Sequence, residues 1–225
     1  MRLEEVAGKI RPLDQEAMEA ARVHWNSIAK PLHSLGKLEE MVIQIAGIQR
    51  TAEVHIPKRA LVAMCADNGV VEEGVTQTGQ EVTAIVAENF LKGETSVCVM
   101  CRQCGVQVFP VDVGMAVDTK VRTDLKVACG TKNIAKEAAM TREQAEKAVE
   151  AGIAMAMELK EQGYQILATG EMGIGNTTTS SAMASVLLDR PVEEMTGRGS
   201  GLTSDGLQRK INVIKKAIRD RKPDR

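Results

Sequence analysis

The residues best suited to chemistry lie between Thr169 and Met183, in the run TGEMGIGNTTTSSAM. Gly170, Gly173 and Gly175 follow a short apolar run, and Asn176, Thr177, Thr178 and Thr179 open a helical pattern. Backbone N–H groups in such a strand-to-helix turn can converge on a phosphate, and the positive end of the helix dipole favours the anion. Asn and Thr add side-chain donors. The run lacks the lysine of a P-loop and the G-x-G-x-x-G spacing of a dinucleotide site. The alternative is a merely tight turn. A second glycine cluster, TGRGSGL at 196–202, carries Arg198, with Lys210 on the helical pattern that follows. Mobile backbone beside cations suits a sugar phosphate, and a flexible connector would have the same composition.

Three short apolar runs, 60–65, 106–111 and 165–169, are each followed by an acidic residue near glycine: Asp67, Asp112 and Glu171. In open parallel sheets ligands bind at the carboxyl ends of the strands. At least two of the three carboxylates are therefore candidates to face one pocket. Cys98, Cys101 and Cys104 form C-x2-C-x2-C. That segment reads as a helix in apolar surroundings, with Cys104 off the shared face and no fourth ligand near. Packed thiols are expected there, and no metal site. His24, His33 and His55 sit in no nucleophile motif; His33 is expected at a surface or capping position.

The elements that must position these groups follow from periodicity. Ser34 is expected to cap a helix with Leu35, Leu38, Val42, Ile45 and Ile48 on its apolar face. Thr141 and Gln144 make a capping box for a long helix, with Gly163 closing it. Leu207, Ile211, Ile214 and Ile218 mark a last helix. Apolar runs alternating with helices predict a parallel sheet with crossover helices. Pro110 makes its strand an edge or shortens it. The last helical pattern runs into RDRKPDR with no following strand, so the C-terminal completion of the fold is expected to be missing. Residues 205–225 hold eight Lys/Arg against three Asp/Glu, read as a solvated helix face.

Composition bounds the function. The 225 residues carry a formal net charge of -1, which gives no general attraction to nucleic acid or anionic membrane. Aromatics are 2%, too few for base-stacking platforms. The opening segment is not expected to act as a secretory signal, and no apolar run approaches the length of a membrane span. Five cysteines are read as reduced thiols in a cytoplasmic protein.

Six segments occur in order: 29–49, 65–100, 111–115, 129–141, 170–183 and 196–202. Together they resemble the nicotinate-nucleotide:dimethylbenzimidazole phosphoribosyltransferases, which make the α-ribazole phosphate of cobalamin. The resemblance covers nearly the whole chain. It implies a Rossmann-like α/β fold with flanking helices: residues 1–55 as the helical N-terminal part of a small domain, and 56–225 as a nucleotide-binding core truncated at its C-terminus. It implies a homodimer of the intact enzyme, with nicotinate mononucleotide and a benzimidazole as its partners and no cofactor. By motif, Gly173, Gly175, Asn176, Thr177, Thr178 and Lys210 match phosphate and nucleotide contacts, and Glu171 matches a polar active-site residue. Thr78, Val86 and Met172 match the acceptor-base pocket. At the position of Val86 some members carry a Gln that contacts the base. The general base proposed for the family is a Glu in a Gly-Glu-Gly-like motif downstream of this chain's last residue. Two other readings stand beside this one: a binding module for the nucleotide that turns nothing over, and a related transferase with another acceptor, such as adenine or a phenol.

Overall fold

The structure, a computed structural model, describes residues 3–224. The chain divides into two compact units between Pro57 and Lys58.

The first unit is helical: α1 (Leu3–Ala7), α2 (Gln15–Ser27) and α3 (Lys37–Gln49). Asp14 caps α2 by accepting from Ala17 N at 2.9 Å. Helices α2 and α3 pack closely because Gly47 has no side chain; a Cβ there would lie 2.7 Å from Met18 Cγ. The cap of α3 is Gly36, at φ 53°, and not Ser34. The buried face is also different from the apolar stripe: Glu39, Ala46 and Gly47 are buried, while Leu35, Leu38 and Ile48 are exposed. Glu39 goes inside because Lys30 pairs with it at 2.8 Å and Leu35 N donates to it at 3.1 Å. Its lysine partner holds its carboxyl below the usual value. His33 is on the surface, at φ 58°.

The second unit is a three-stranded parallel sheet flanked by helices. Its strands are β1 (Arg59–Ala66), β2 (Val106–Gly114) and β3 (Ile166–Met172), in the order β2-β1-β3. Between β1 and β2 the chain makes a 3-10 turn (Gly69–Glu73), α4 (Glu81–Lys92) and α5 (Ser96–Gln103). Helix α6 (Arg142–Glu161) connects β2 to β3. After β3 come α7 (Asn176–Leu187), the short α8 (Val192–Met195) and α9 (Ser204–Arg221). Pro110 lies in an outer strand, where a missing N–H is tolerated. Both outer strands run further than the apolar runs suggested. β3 continues through Gly170 and Glu171, because the ladder to β1 continues with Gly170 opposite Ala63 and Glu171 opposite Met64.

Thr141 and Gln144 form the expected capping box of α6, and Gly163 adopts φ 85° just past its end. Met155 and Leu159 of α6 pack on Ala60, Val62, Val111 and Tyr164. A second cluster joins Cys65, Ala87, Met115 and Val121, with Met172 and Phe90 against it. A third joins Val192, Ile211 and Ile214, with Ala182, Leu207 and Ile218 against it, and fixes α9 on α7 and α8. Cys98 and Cys101 are buried in α5, whereas Cys104 is exposed at its end. Burial pushes the Cys65 thiol up to about 12, so it is inert. No helix among the described residues is long and apolar enough to cross a membrane.

Leu159 is fully buried in the largest of these clusters. Leu159→Ala is expected to lower unfolding stability by about 2–5 kcal/mol, and Thr141→Ala by about 1 kcal/mol, in urea titrations. A Leu159→Ala loss well under 1 kcal/mol would mean that α6 does not cover the sheet as described.

Candidate functional site

Register brings the carboxyl ends of the three strands level, since Cys65 of β1 faces both Asp112 and Met172. The three acidic residues nevertheless do not converge on one pocket. Asp67 is buried and accepts from Ala116 N at 2.7 Å. Asp112 is buried too. It accepts from Gly114 N and Met115 N and pairs with Lys126 at 3.1 Å. Both brace the loop that leaves β2. Of the three, Glu171 alone is exposed at the turn. Its carboxyl folds back over Gly173, where a Cβ would lie 2.8 Å from Oε1. Desolvation there raises its pKa, opposed by a hydrogen bond from the Asn176 amide.

The glycine turn is built by close approach. A Cβ on Gly173 would lie 2.2 Å from Ala66 O, and one on Gly175 would lie 2.9 Å from Val71 Cγ2; Gly175 also takes φ 89°. Only glycine meets both demands. Asn176 N donates to Gly173 O and Thr178 N to Gly175 O, each at 3.0 Å, which winds the chain into α7. No side chain caps α7. Thr178 is fully buried, and its hydroxyl oxygen has no hydrogen-bond partner.

Helix α9 crosses α7 and delivers Lys210 to this turn. Lys210 is 1% exposed. Its Nζ donates to Thr177 Oγ1 at 2.7 Å and to Gly197 O at 3.2 Å. Both acceptors are neutral, and no carboxylate among the described residues lies within ion-pair distance. Two of three ammonium donors are thus used, and the charge is uncompensated. The 196–202 loop folds over the pair: a Cβ on Gly199, at φ 58°, would lie 3.0 Å from Thr177 Oγ1 and 3.7 Å from Lys210 Nζ. Arg198, the other cation, is used within the loop, donating to Leu202 O and Ser204 Oγ.

The chain belongs to the phosphoribosyltransferase family. The model of that family matches residues 10–225. Two relatives named nicotinate-nucleotide–dimethylbenzimidazole phosphoribosyltransferase are similar along the whole chain. That of Ruminiclostridium cellulolyticum is 47% identical over all of this chain and 64% of its own length. That of Clostridium tetani is 44% identical over 99% and 62%. The crystal structure of a Thermus thermophilus protein of the same name superposes with a TM-score of 0.83 at 36% identity, covering 92% of this chain and 62% of that one. The chain therefore spans less than two thirds of the length of these relatives.

The residues matched to the family's motifs fall into three places. Glu171, Gly173, Gly175 and Asn176 share the turn. Thr177 joins Lys210, and Thr178 lies buried behind it. Thr78 is exposed before α4, Val86 is half-buried on α4, and Met172 ends β3 against the second core cluster. A cavity of about 590 Å³ opens between α7, α9 and residues 131–140, with Asn68 and Thr179 among its lining residues. None of the motif-matched residues lines it. Nothing in the sequence singles out Asn68 and Thr83, which touch the turn directly. Asn68 lies beside Asp67 in ADNG, where the acid is the more conspicuous residue. Thr83 gives no signal, being one more Thr in a helix. Among the described residues no group of three or more His, Cys, Asp or Glu is placed to hold a metal ion.

Burial without a counter-charge pulls the Lys210 ammonium below its ordinary value. The native protein then gives up this proton at lower pH than the unfolded chain. Stability contributed by this site rises with pH between the two values, and the penalty for burying the charge is fully present below them. Lys210→Met removes that rise. The difference in urea stability between Lys210→Met and the parent is expected to shift in the parent's favour as pH increases through the alkaline range. Parallel pH profiles would show that Lys210 is not desolvated.

Proposed function

We propose that this chain holds the nucleotide site of an enzyme that transfers phosphoribose from nicotinate mononucleotide to 5,6-dimethylbenzimidazole, giving α-ribazole 5'-phosphate and nicotinate for cobalamin synthesis. The observation that carries this reading is the buried Lys210 ammonium held by neutral oxygens at the mouth of a glycine turn. A desolvated cation with a spare donor is stabilised by an anion, and a phosphate oxygen is the acceptor that fits beside Thr177 and the start of α7. The names of the relatives support the choice of donor and acceptor.

The chemistry asks little beyond positioning. The acceptor nitrogen attacks the anomeric carbon, the bond to the nicotinate nitrogen breaks, and its electron pair neutralises the pyridinium. Attack from the opposite face converts the β linkage into an α linkage. Gly173, Gly175, Asn176, Thr177 and Lys210 would hold the phosphate and ribose, with Thr178 buried behind them, and Thr78, Val86 and Met172 the acceptor ring. The acceptor's N–H proton must leave to a base. Glu171 is the carboxylate at the turn, and its raised pKa improves it as a base near neutral pH.

The test mixes the 225-residue chain with nicotinate mononucleotide and a panel of benzimidazoles, adenine and phenols, reads products by mass spectrometry, and titrates the nucleotide in parallel. Binding is expected, weakened about 10–100-fold by Lys210→Ala. Where product forms, Glu171→Gln is expected to lower kcat and remove the acidic limb of the pH profile, which desolvation shifts upward. Nucleotide binding without product would favour a binding module. An unaltered Kd in Lys210→Ala would sink the phosphate assignment.

A further inference from the structure

Ile174, the residue between Gly173 and Gly175, is gripped at both backbone polar groups by side chains from elsewhere. Its N–H donates to Thr83 Oγ1 at 3.0 Å, from the first turn of α4. Its carbonyl accepts from Asn68 Nδ2 at 3.1 Å, from the segment just past β1. Each bond fixes one of the two peptide planes on either side of Ile174. In a trans peptide the C=O and N–H point in opposite directions. With Ile174 N–H turned to Thr83, Gly173 C=O points the other way, where it accepts from Asn176 N. With Ile174 C=O turned to Asn68, Gly175 N–H must point away from Asn68.

We propose that Asn68 and Thr83 are positioning residues that set these two peptide planes and so aim the Gly175 N–H at the phosphate. The inference rests on the phosphate reading above. Both side chains are themselves held. Thr83 is completely buried, so its hydroxyl strongly prefers a partner, and the Ile174 N–H supplies one. The backbone of Asn68 is anchored by Gln80 Nε2, which donates to its carbonyl at 3.1 Å, and its amide oxygen lies 3.5 Å from Thr179 Oγ1, whose proton goes to Asn176 O at 2.9 Å. The glycines and the clamp depend on each other. A Cβ on Gly173 would lie 2.9 Å from Asn68 Nδ2, and one on Gly175 would lie 3.2 Å from Asn68 Cβ.

The experiment titrates inorganic phosphate and nicotinate mononucleotide by calorimetry into the unsubstituted chain, Lys210→Met, Asn68→Ala, Thr83→Val and Thr83→Ser, with a thermal melt of each. Thr83→Val keeps shape and deletes the acceptor; Thr83→Ser restores it. Phosphate Kd is expected to rise about tenfold in Asn68→Ala and Thr83→Val, and to return within about twofold of the parent in Thr83→Ser. A general loss of packing would not be repaired by the smaller Ser, so that rescue separates positioning from mere stability. If Thr83→Val does not fold, Asn68→Ala and Thr83→Ser decide. Phosphate lost in Lys210→Met but bound equally well by the folded clamp variants overturns this inference alone. No phosphate bound by the unsubstituted chain overturns the phosphate reading and this inference with it.

Discussion

A buried ammonium that meets only a hydroxyl and a carbonyl is an unusual thing for a protein to keep. Burying that charge costs free energy, and no carboxylate among the described residues pairs with it. The surrounding architecture follows from that contact. Helix α9 must lie on α7 for Lys210 to reach Thr177, and the cluster of Val192, Ile211 and Ile214 holds it there. The loop before α9 needs a glycine at 199, because backbone with a positive φ passes directly over the pair there. On the proposed function, this arrangement trades stability for a prepared electrostatic environment, as binding sites for charged groups commonly do.

The sheet supplies the other half of the arrangement. Parallel register places the ends of β1 and β3 side by side, so residues from both can work on one turn. β3 ends at Met172, and two residues later the chain is bonded to side chains that follow β1 in sequence and in space. This is the general logic of parallel sheets, in which function gathers where strands stop and helices start.

Periodicity made the sheet, the crossover helices and the glycine turn legible, because those depend on local pattern. The capping box of α6 was readable for the same reason: Thr141 and Gln144 are three residues apart. Long-range choices were not readable. Ser34 looks like a cap, but the chain turns at Gly36, where a positive φ is needed. Leu35, Leu38 and Ile48 look like an inner face, but Glu39 is buried instead, since Lys30 stands ready to neutralise it. Asp67 and Asp112 look like catalytic acids beside Glu171, but both are buried, and each gives one carboxylate oxygen to N–H groups of residues 114–116. Which of three similar acids is exposed depends on loops that fold back from far along the chain. Asn68 and Thr83 were invisible for a related reason: their partner is a backbone peptide, and backbone leaves no mark in a sequence.

Gln77 donates to the carbonyl of Gly201, and Arg209 donates to that of Gly74 at 3.3 Å. These bonds tie the segment that carries Thr78 to the loop that covers Lys210 and to the helix that carries it. The two segments lie more than a hundred residues apart in the chain, yet they are laced together at the surface. Each side therefore helps to hold the other in place, although neither is the other's neighbour in sequence.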